Sequence, residues 1–131
     1  MATIKCFEDL TVWKMARVYC SDIFRLTCYE QFSKDYRLKD QIRSSSGSIM
    51  DNIAEGFERG GNKELSQFLA IAKGSCGESR SQLHRSFDYQ YIESEEYETL
   101  CQKSVELSKG LSAFMDYLKQ SEIKGIKYKK V

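Results

Sequence analysis

Residues 41–78 read QIRSSSGSIMDNIAEGFERGGNKELSQFLAIAKGSCGE, and the spacing of their apolar residues decides the fold class. Apolar residues recur at steps of three and four on both sides of a Gly-Gly pair, which is the period of an α-helix and not of a strand. Gly60 and Gly61 are typical of a helix end. The stretch predicts two helices, from about Lys39 to Arg59 and from about Asn62 onward, and the short connection makes them antiparallel.

Two further amphipathic runs flank this pair. The first predicted helix runs from about Asp9 to Glu30, and the fourth begins after Ser94 as a cap and ends near Glu122. The predicted inward stripes are Val12, Trp13, Ala16, Cys20, Ile23, Phe24 and Thr27; then Leu38, Ile42, Ser45, Ile49, Ile53 and Phe57; then Leu65, Phe68, Leu69, Ala72, Cys76, Leu83 and Phe87; and last Tyr97, Leu100, Cys101, Ser104, Leu107, Leu111, Phe114, Met115 and Leu118.

These runs predict an all-α protein, an antiparallel up-and-down four-helix bundle over residues 1–123 with a basic C-terminal tail, 124–131. The chain has 131 residues, which fits one domain, and no proline. Asn62 is expected to cap the third helix. Gly74 and Gly77 each weaken that helix by about 1 kcal/mol, so we expect a close crossing with another backbone there.

The composition limits the expected cellular location of the protein and the kinds of partner it could bind. No stretch approaches the 18 or so apolar residues of a membrane span, and the first ten residues lack the apolar segment of a signal peptide, so we expect a cytoplasmic protein with no membrane role. Five widely spaced cysteines are expected to be free thiols. The net charge is +1, but an acidic fourth helix precedes the four lysines of the tail.

No catalytic, metal or cofactor site emerges from the residue pattern. His84 lacks the Glu three residues earlier that di-iron bundles need. Ser44, Ser45, Ser46 and Ser48 lie within a helix, where small residues favour close packing over nucleophilic chemistry. The carboxylates Asp51, Glu55, Glu58, Glu64 and Glu78 show no ligand spacing, so structural ion pairs are expected. Gly60-Gly61 leaves two alternatives, a plain helix end and an anion site beside Arg59 and Lys63.

The same stretch resembles a known family. The marks are F-x-x-L-x-V-W at Phe7 to Trp13, Q-I-R at Gln41 to Arg43, S-I-x-x-N-I-A-E-G at Ser48 to Gly56, an Arg at 59, and the motif from Lys63 to Glu78. Together they resemble the four helix bundle protein family, whose members are encoded by intervening sequences within bacterial 23S ribosomal RNA genes. The sequence is also similar to the accessory variability protein of diversity-generating retroelements.

The resemblance implies an antiparallel four-helix bundle that assembles as a ring-like homopentamer. For the retroelement relatives it implies nucleic-acid binding and contact with a reverse transcriptase, and for the intervening-sequence proteins no established activity. We therefore expect a non-enzymatic oligomeric protein that contacts ribosomal RNA or another nucleic acid, because a ring multiplies each basic residue five-fold. The candidate contacts are Arg43, Arg59, Lys63, Lys73, Arg80, Arg85, Lys124, Lys127, Lys129 and Lys130.

Two alternatives stay open at this point. Instead of contacting a nucleic acid, Arg43 and Arg59 could form structural ion pairs with Glu55 or Glu78 between helices. The basic tail could likewise be a solvated, disordered end. A protein-binding scaffold whose acidic fourth helix recruits a partner is the second function hypothesis. For base stacking, the candidate exposed rings are Tyr89, Tyr91 and Tyr128.

Overall fold

The computed structural model is all-helical and describes the backbone of residues 4–124, with side chains to residue 121. A 3-10 turn, Phe7–Asp9, leads into five α-helices. They are α1 (Thr11–Thr27), α2 (Glu30–Lys34), α3 (Tyr36–Glu58), α4 (Asn62–Asp88) and α5 (Ser94–Lys124). No strand occurs in the part of the chain so described.

The four long helices form the predicted antiparallel bundle. Packing joins α1 to α3, α3 to α4, α4 to α5 and α5 back to α1, while the short α2 lies against α3 in the first connection. Each long helix therefore has two neighbours around one shared interior, which is the arrangement that an up-and-down bundle requires. No helix of the described part is both long and apolar enough to cross a membrane.

The interior is filled by the aliphatic residues that the sequence pattern identified on α3, α4 and α5. Ile42, Ile49, Ile53, Leu65, Leu69, Leu83, Leu107 and Leu111 are all fully buried. Burying a side chain of this size contributes about 1.5–3 kcal/mol. This interior holds the bundle together, and polar side chains at its edges set how closely the helices approach.

The predicted inward stripe of α1 is wrong at one position. Phe24 is 52% exposed, whereas Tyr19, absent from the predicted stripe, is only 1% exposed. The Tyr19 hydroxyl lies 2.7 Å from the Ser79 hydroxyl of α4, and this hydrogen bond satisfies the polar end of a ring that enters the core. A partner 60 residues away in sequence decides the choice, so the local spacing did not reveal it.

Both ends of α3 have a clear local cause. The helix starts at Tyr36, earlier than predicted, because the Asp35 side chain accepts a hydrogen bond from the Leu38 amide at 3.1 Å and caps it. It ends before Gly60, whose φ of 86° is left-handed and favours glycine, as predicted.

The predicted cap of α4 is wrong. Asn62 is the first residue of the helix and Gly61 is the residue that caps it, without a side-chain hydrogen bond. The Glu64 carboxylate occupies the space where a Cβ of residue 61 would lie, so it sits at the helix N-terminus. A carboxylate there interacts favourably with the helix dipole, which leaves the plain helix end as the better interpretation of Gly60-Gly61.

The predicted close crossing at Gly74 and Gly77 is also wrong. A Cβ added at either residue would meet nothing within 4 Å. The close approach lies at Gly56 instead, where an added Cβ would come 2.6 Å from the Cβ of Phe68 on α4. A glycine on the outer side of a helix and one at a helix contact look the same in sequence, because neither carries a side chain to reveal its face.

Candidate nucleic-acid interface

The motif from Ser48 to Gly56 holds α3 against α4. The Ser48 and Ser75 hydroxyls lie 2.9 Å apart across the two helices. The Asn52 amide donates to the Ser48 carbonyl and hydroxyl, both at 2.8 Å. Below these polar contacts Ile49 and Ile53 enter the core. The motif therefore explains the helix contact, as expected for the serines, and leaves few polar atoms for a ligand.

A buried hydrogen bond continues this contact toward the other end of α4. Ser45 donates to the Gln82 side-chain oxygen at 2.6 Å, and the Gln82 nitrogen donates to Glu78 at 3.3 Å. Among the described residues, every buried side-chain nitrogen or oxygen has a hydrogen-bond partner. The polar groups in the bundle thus satisfy one another.

Arg43, the first basic candidate, joins α3 to α1. Its Nε donates to the Thr27 hydroxyl at 2.8 Å, and its guanidinium lies 4.3 Å from the centre of the Phe24 ring. The suggested pairing of Arg43 with Glu55 or Glu78 is wrong. The arginine contacts α1, whereas Glu55 lies about three turns farther along α3 and pairs with Arg59, and Glu78 lies on α4. Its contact also explains how an exposed phenylalanine is tolerated on α1.

Arg59 pairs with a predicted partner but in a different arrangement. Its guanidinium lies 2.8 Å from the Glu55 carboxylate one turn earlier on the same chain, and 5.1 Å from the centre of the Phe68 ring. The ion pair is therefore local and half-exposed rather than a bridge between helices. Such a pair contributes about 0–1 kcal/mol, so the arginine remains accessible to an anion.

Arg80 and Arg85 lie on opposite sides of α4. Arg80 donates to the Ser104 hydroxyl of α5 at 3.2 Å, while Arg85 donates to the Gln41 side chain of α3 at 3.0 Å. Burial raises the pKa of the Cys76 thiol, and the charges of Arg80 and Lys73 oppose that rise. Both cations thus act on the same α4–α5 contact, whereas Arg85 acts elsewhere.

Three candidates form a basic row, which we define as Lys63, Lys73 and Arg80. Lys73 and Arg80 are seven residues apart and share one side of α4, whereas Lys63 lies about a quarter turn away near the start of the helix. Both lysines are exposed and have no ion-pair partner in the described residues. The exposed or half-exposed residues that share this side are neutral, namely Ser66, Gln67, Ala70, Gly74, Gly77 and Ser81.

Lys119 extends the basic row, and the sequence analysis missed it. It lines a shallow groove of about 470 Å³ between the start of α4 and the end of α5, together with Lys63 and Asp116. The two lysines are 56 positions apart (63 to 119), so only the antiparallel packing of α4 and α5 brings them together. Finding this pair from the sequence would have required knowing which turns of α4 and α5 lie side by side.

The remaining candidates are not brought together. Arg43 lies at the α1–α3 contact, whereas Arg59 and Arg85 lie toward opposite ends of the α3–α4 contact. Lys124 belongs to the end of α5, with its side chain outside the described residues, and Lys127, Lys129 and Lys130 lie wholly outside them. Among the candidates whose side chains are described, Lys63, Lys73 and Arg80 are the ones that lie toward α5 on α4.

The aromatic candidates divide in the same way. Tyr89 is 52% exposed, as expected. Tyr91 is only half-exposed, because its ring stacks on Phe32 and its hydroxyl donates to Asp35 at 2.9 Å. Tyr128 lies outside the described residues. Tyr36, which is 70% exposed, was missed because its position at the start of α3 became clear only with the Asp35 cap.

The single histidine of the chain is hydrogen-bonded to a tyrosine. His84 Nδ1 lies 2.6 Å from the Tyr97 hydroxyl on the surface between α4 and α5. In the described residues, no group of three His, Cys, Asp or Glu side chains is arranged to hold a metal ion. The five cysteines are unpaired, with Cys76 buried and Cys28 exposed.

Comparison with known proteins places the bundle in a family. Residues 8–113 match the family described as 23S rRNA-intervening sequence protein. A crystal structure of a protein of unknown function from the S23 ribosomal protein family of Bacteroides thetaiotaomicron has a TM-score of 0.74 at 25% identity, covering 80% of this chain and 98% of that one. No curated protein matches the sequence. The chain belongs to the 23S rRNA-intervening sequence protein family.

Proposed function

We propose that this chain is a non-enzymatic, oligomeric binding protein that contacts the phosphate backbone of structured RNA through the basic row on α4. The observation that carries the proposal is the combination of charge and space on one helix face. Lys63 and Lys73 have no ion-pair partner in the described residues. Between them and Arg80, Gly74 and Gly77 leave the helix surface open.

Open space beside fixed cations suits a phosphate backbone. An added Cβ at Gly74 would meet nothing within 4 Å, so the α4 backbone there is open to a phosphate. Lys73 and Arg80 both lie on the neighbouring side of the helix, toward α5. Contacts of this kind position a nucleic acid without reading its sequence. The ligand best suited to them is a helical RNA, whose shape and phosphates are the features that proteins recognise most often in duplex regions.

The family description supports RNA as the first ligand to test. It names 23S rRNA, and the similar crystal structure is of a protein from the S23 ribosomal protein family. A homopentameric ring, which the resemblance implies, would repeat the basic row five times. Counterion release rises with the number of phosphates contacted, so repetition turns a row of three cations into a useful affinity.

A binding role without catalysis is supported by where the reactive side chains lie. The serines of α3 are engaged in helix contacts, with Ser45 bound to Gln82 and Ser48 to Ser75. His84 is bound to Tyr97 at the surface. A catalytic group needs a neighbouring base and an open pocket, and these residues lack that arrangement.

The test is a gel-shift titration of the nuclease-treated chain with a 23S rRNA fragment at about 50 and 200 mM salt. We expect a shift that weakens steeply with salt. In the Lys63→Gln/Lys73→Gln variant the slope of log affinity against log salt should fall by about 0.7–0.9 per lost phosphate contact in each copy. The matched control is Lys5→Gln/Lys14→Gln, which removes the same charge from exposed positions on the α1 side.

The outcomes separate the two function hypotheses. Equal losses in both variants would mean that only net charge matters and would remove the basic row as the interface. No shift at about 50 mM salt would contradict RNA binding. Light scattering before and after nuclease treatment tests the oligomer in the same sample, since a mass of five copies is expected in both cases. A protein partner that co-purifies without nucleic acid would instead favour the scaffold.

A further inference from the structure

A groove between α1 and α5 plays no part in the proposed RNA contact. It has a volume of about 620 Å³. Its floor is apolar, with Leu26 and Leu100 beneath and Tyr29 at the side, and its rim carries Glu93, Glu95 and Glu96. We call it the acidic groove. An apolar floor with charged groups at the rim is the composition of a binding cleft and not of a helix contact.

The negative charge of the acidic groove is only partly neutralised. Deeper in the groove Asp22 accepts from Arg25 at 2.8 Å and from Lys103 at 2.9 Å, which accounts for both cations that line it. At the rim, the Glu96 carboxylate accepts a hydrogen bond from the Tyr29 hydroxyl but makes no ion pair in the described residues. Glu93 and Glu95 make no ion pair in the described residues. A basic ligand would supply the missing charges.

The chain itself contains a segment of matching chemistry. Residues 124–131 read KGIKYKKV, with four lysines and no acid. In an extended conformation successive side chains would alternate, so Ile126 and Tyr128 would share one side with Lys124 and Lys130, and Lys127 and Lys129 would take the other. Two neighbouring apolar side chains flanked by cations match a groove with an apolar floor and an acidic rim.

The tail is too short to reach the acidic groove of its own copy. Lys103 is the groove residue farthest along α5, and the 21 residues from there to Lys124 (124 − 103) span about 32 Å of helix. The six residues from Lys124 to Lys130 (130 − 124) reach at most about 22 Å, even when fully extended. The tail lysines of one copy therefore cannot return to the acidic groove of that copy.

We propose that residues 124–131 of one copy bind in the acidic groove of a second copy, with the tail lysines beside Glu93 and Glu95 and the Ile126 and Tyr128 side chains on the floor. The contact is a heterologous one, in which a tail on one copy meets a groove on the next, so it can close into a ring. This interaction is independent of RNA binding and assigns the tail lysines to a neighbouring copy.

The tail could instead bind a nearer groove on its own copy. It lies between α1 and α5 with a volume of about 350 Å³, and its lining includes Leu10, Phe114 and Tyr117. Its single carboxylate, Asp9, already accepts a hydrogen bond from the Lys5 amide at 3.1 Å. It offers no excess of negative charge to four lysines, so charge complementarity favours the acidic groove of another copy.

The test is photo-crosslinking in the full chain, treated with nuclease. A benzophenone amino acid replaces Tyr128 in unlabelled protein, which is mixed with an equal amount of ¹⁵N-labelled protein that lacks the crosslinker. We expect crosslinked peptides that join an unlabelled tail to labelled residues around Thr99 and Leu100. Crosslinks confined to one isotope, or to the lining of the nearer groove, would overturn the proposal.

Charge reversal keeps the test decisive if a variant alters assembly. Glu93→Lys/Glu95→Lys should reduce the crosslink yield several-fold, and the further change Lys127→Glu/Lys129→Glu should restore it. The matched control is Glu58→Lys/Glu98→Lys, which makes the same charge change at exposed positions outside the groove. Equal losses in both double variants, or no recovery on reversing the tail charges, would also overturn it.

Discussion

The α3–α4 contact and the α1–α5 contact are built differently. Gly56 brings α3 directly against Phe68 of α4, and the hydroxyls of Ser48 and Ser75 meet across the same contact. Between α1 and α5, grooves of about 620, 340 and 350 Å³ follow one another along the helices. One contact has been closed by small residues, whereas the other leaves space that a ligand or another chain can enter.

This difference shows that the sequence motifs of the family are explained by helix packing. The motif from Ser48 to Gly56 lies on the closed contact, and its polar residues bind one another. Arg43 joins α1 to α3 through Thr27. The marks therefore specify how the helices pack, and the surfaces available for binding lie on the outer side of α4 and along the α1–α5 contact.

The largest expected effect comes from breaking the closed contact at its narrowest point. Gly56→Ala places a Cβ 2.6 Å from that of Phe68, so the helices must move apart. Overpacking of this kind costs about 1–3 kcal/mol. Gly74→Ala is the matched control and should raise the free energy of unfolding by about 0.5–1 kcal/mol, because its Cβ meets open space. Urea unfolding measures both, and a shift of the same sign in the two variants would contradict the comparison.

The next effect tests the buried polar part of the closed contact. Ser45→Ala removes the donor to the Gln82 side-chain oxygen, which then stays buried without that partner. The expected loss is about 1–3 kcal/mol. Ser44→Ala, at the exposed neighbouring position, should change stability by no more than about 0.5 kcal/mol. If the two variants unfold at the same urea concentration, the hydrogen bond is not part of what closes the contact.

The third prediction concerns whether water reaches the buried Tyr19 hydroxyl on the inner side of α1. Burial raises the pKa of Tyr19 well above its usual range. The folded state then keeps the hydroxyl proton to higher pH than the unfolded chain does. The resulting stability is complete below about pH 10 and falls as the pH rises further.

Tyr19→Phe should therefore show a shallower decline above about pH 10, by up to about 1.4 kcal/mol per pH unit. Urea unfolding of the two proteins between about pH 9 and 11 measures the slopes. Parallel slopes would mean that the Tyr19 hydroxyl is reached by water through the α1–α5 contact.

The smallest effect is expected in the open contact. Lys103 of α5 lies 2.9 Å from Asp22 of α1, and Lys103→Gln removes this pair between an exposed lysine and a mostly buried carboxylate that keeps Arg25 as a partner. The loss should stay below about 1 kcal/mol. Burial raises the pKa of Asp22, but the hydrogen bonds from Lys103 and Arg25 outweigh it and lower the pKa below its usual range.

The sign of the pH dependence follows from that lowered pKa. The stabilisation of Asp22 is present above the pKa of the unfolded carboxyl, near 3.9, and is lost as the pH falls through the folded value. The difference between Lys103→Gln and the unchanged protein should therefore shrink toward acidic pH in urea unfolding. Lys109→Gln, at an exposed position without an ion pair in the described residues, is the control.

The sequence predicted the number of long helices, their order and the end of α3, because these follow from local periodicity and from Gly60. It did not predict the closed contact at Gly56 or the position of Tyr19, since both depend on residues brought together by packing. Phe24 fits a helical stripe as well as Tyr19 does. Only the Ser79 hydroxyl on α4 explains why the tyrosine is inside.

The candidate site was predicted in composition but not in arrangement. Lys63, Lys73 and Arg80 lie on one helix, which the sequence periodicity can reveal. Lys119 lies beside Lys63 only because of the register between α4 and α5. Arg43 lies apart from these lysines because its side chain contacts α1. Charge can be counted from a sequence, whereas the partners that neutralise it depend on the fold.

Native-state hydrogen exchange of the full chain tests the difference between the two contacts most directly. We predict that backbone amides near Ile49, Ile53, Leu69 and Cys76 exchange only through global unfolding, with the highest free energies of opening in the molecule. Amides of α1 and of the first turns of α5 should open at lower free energies. If the α1 and α5 amides are protected as strongly as those of α3 and α4, or if α3 and α4 separate first, the distinction between a closed and an open contact is wrong.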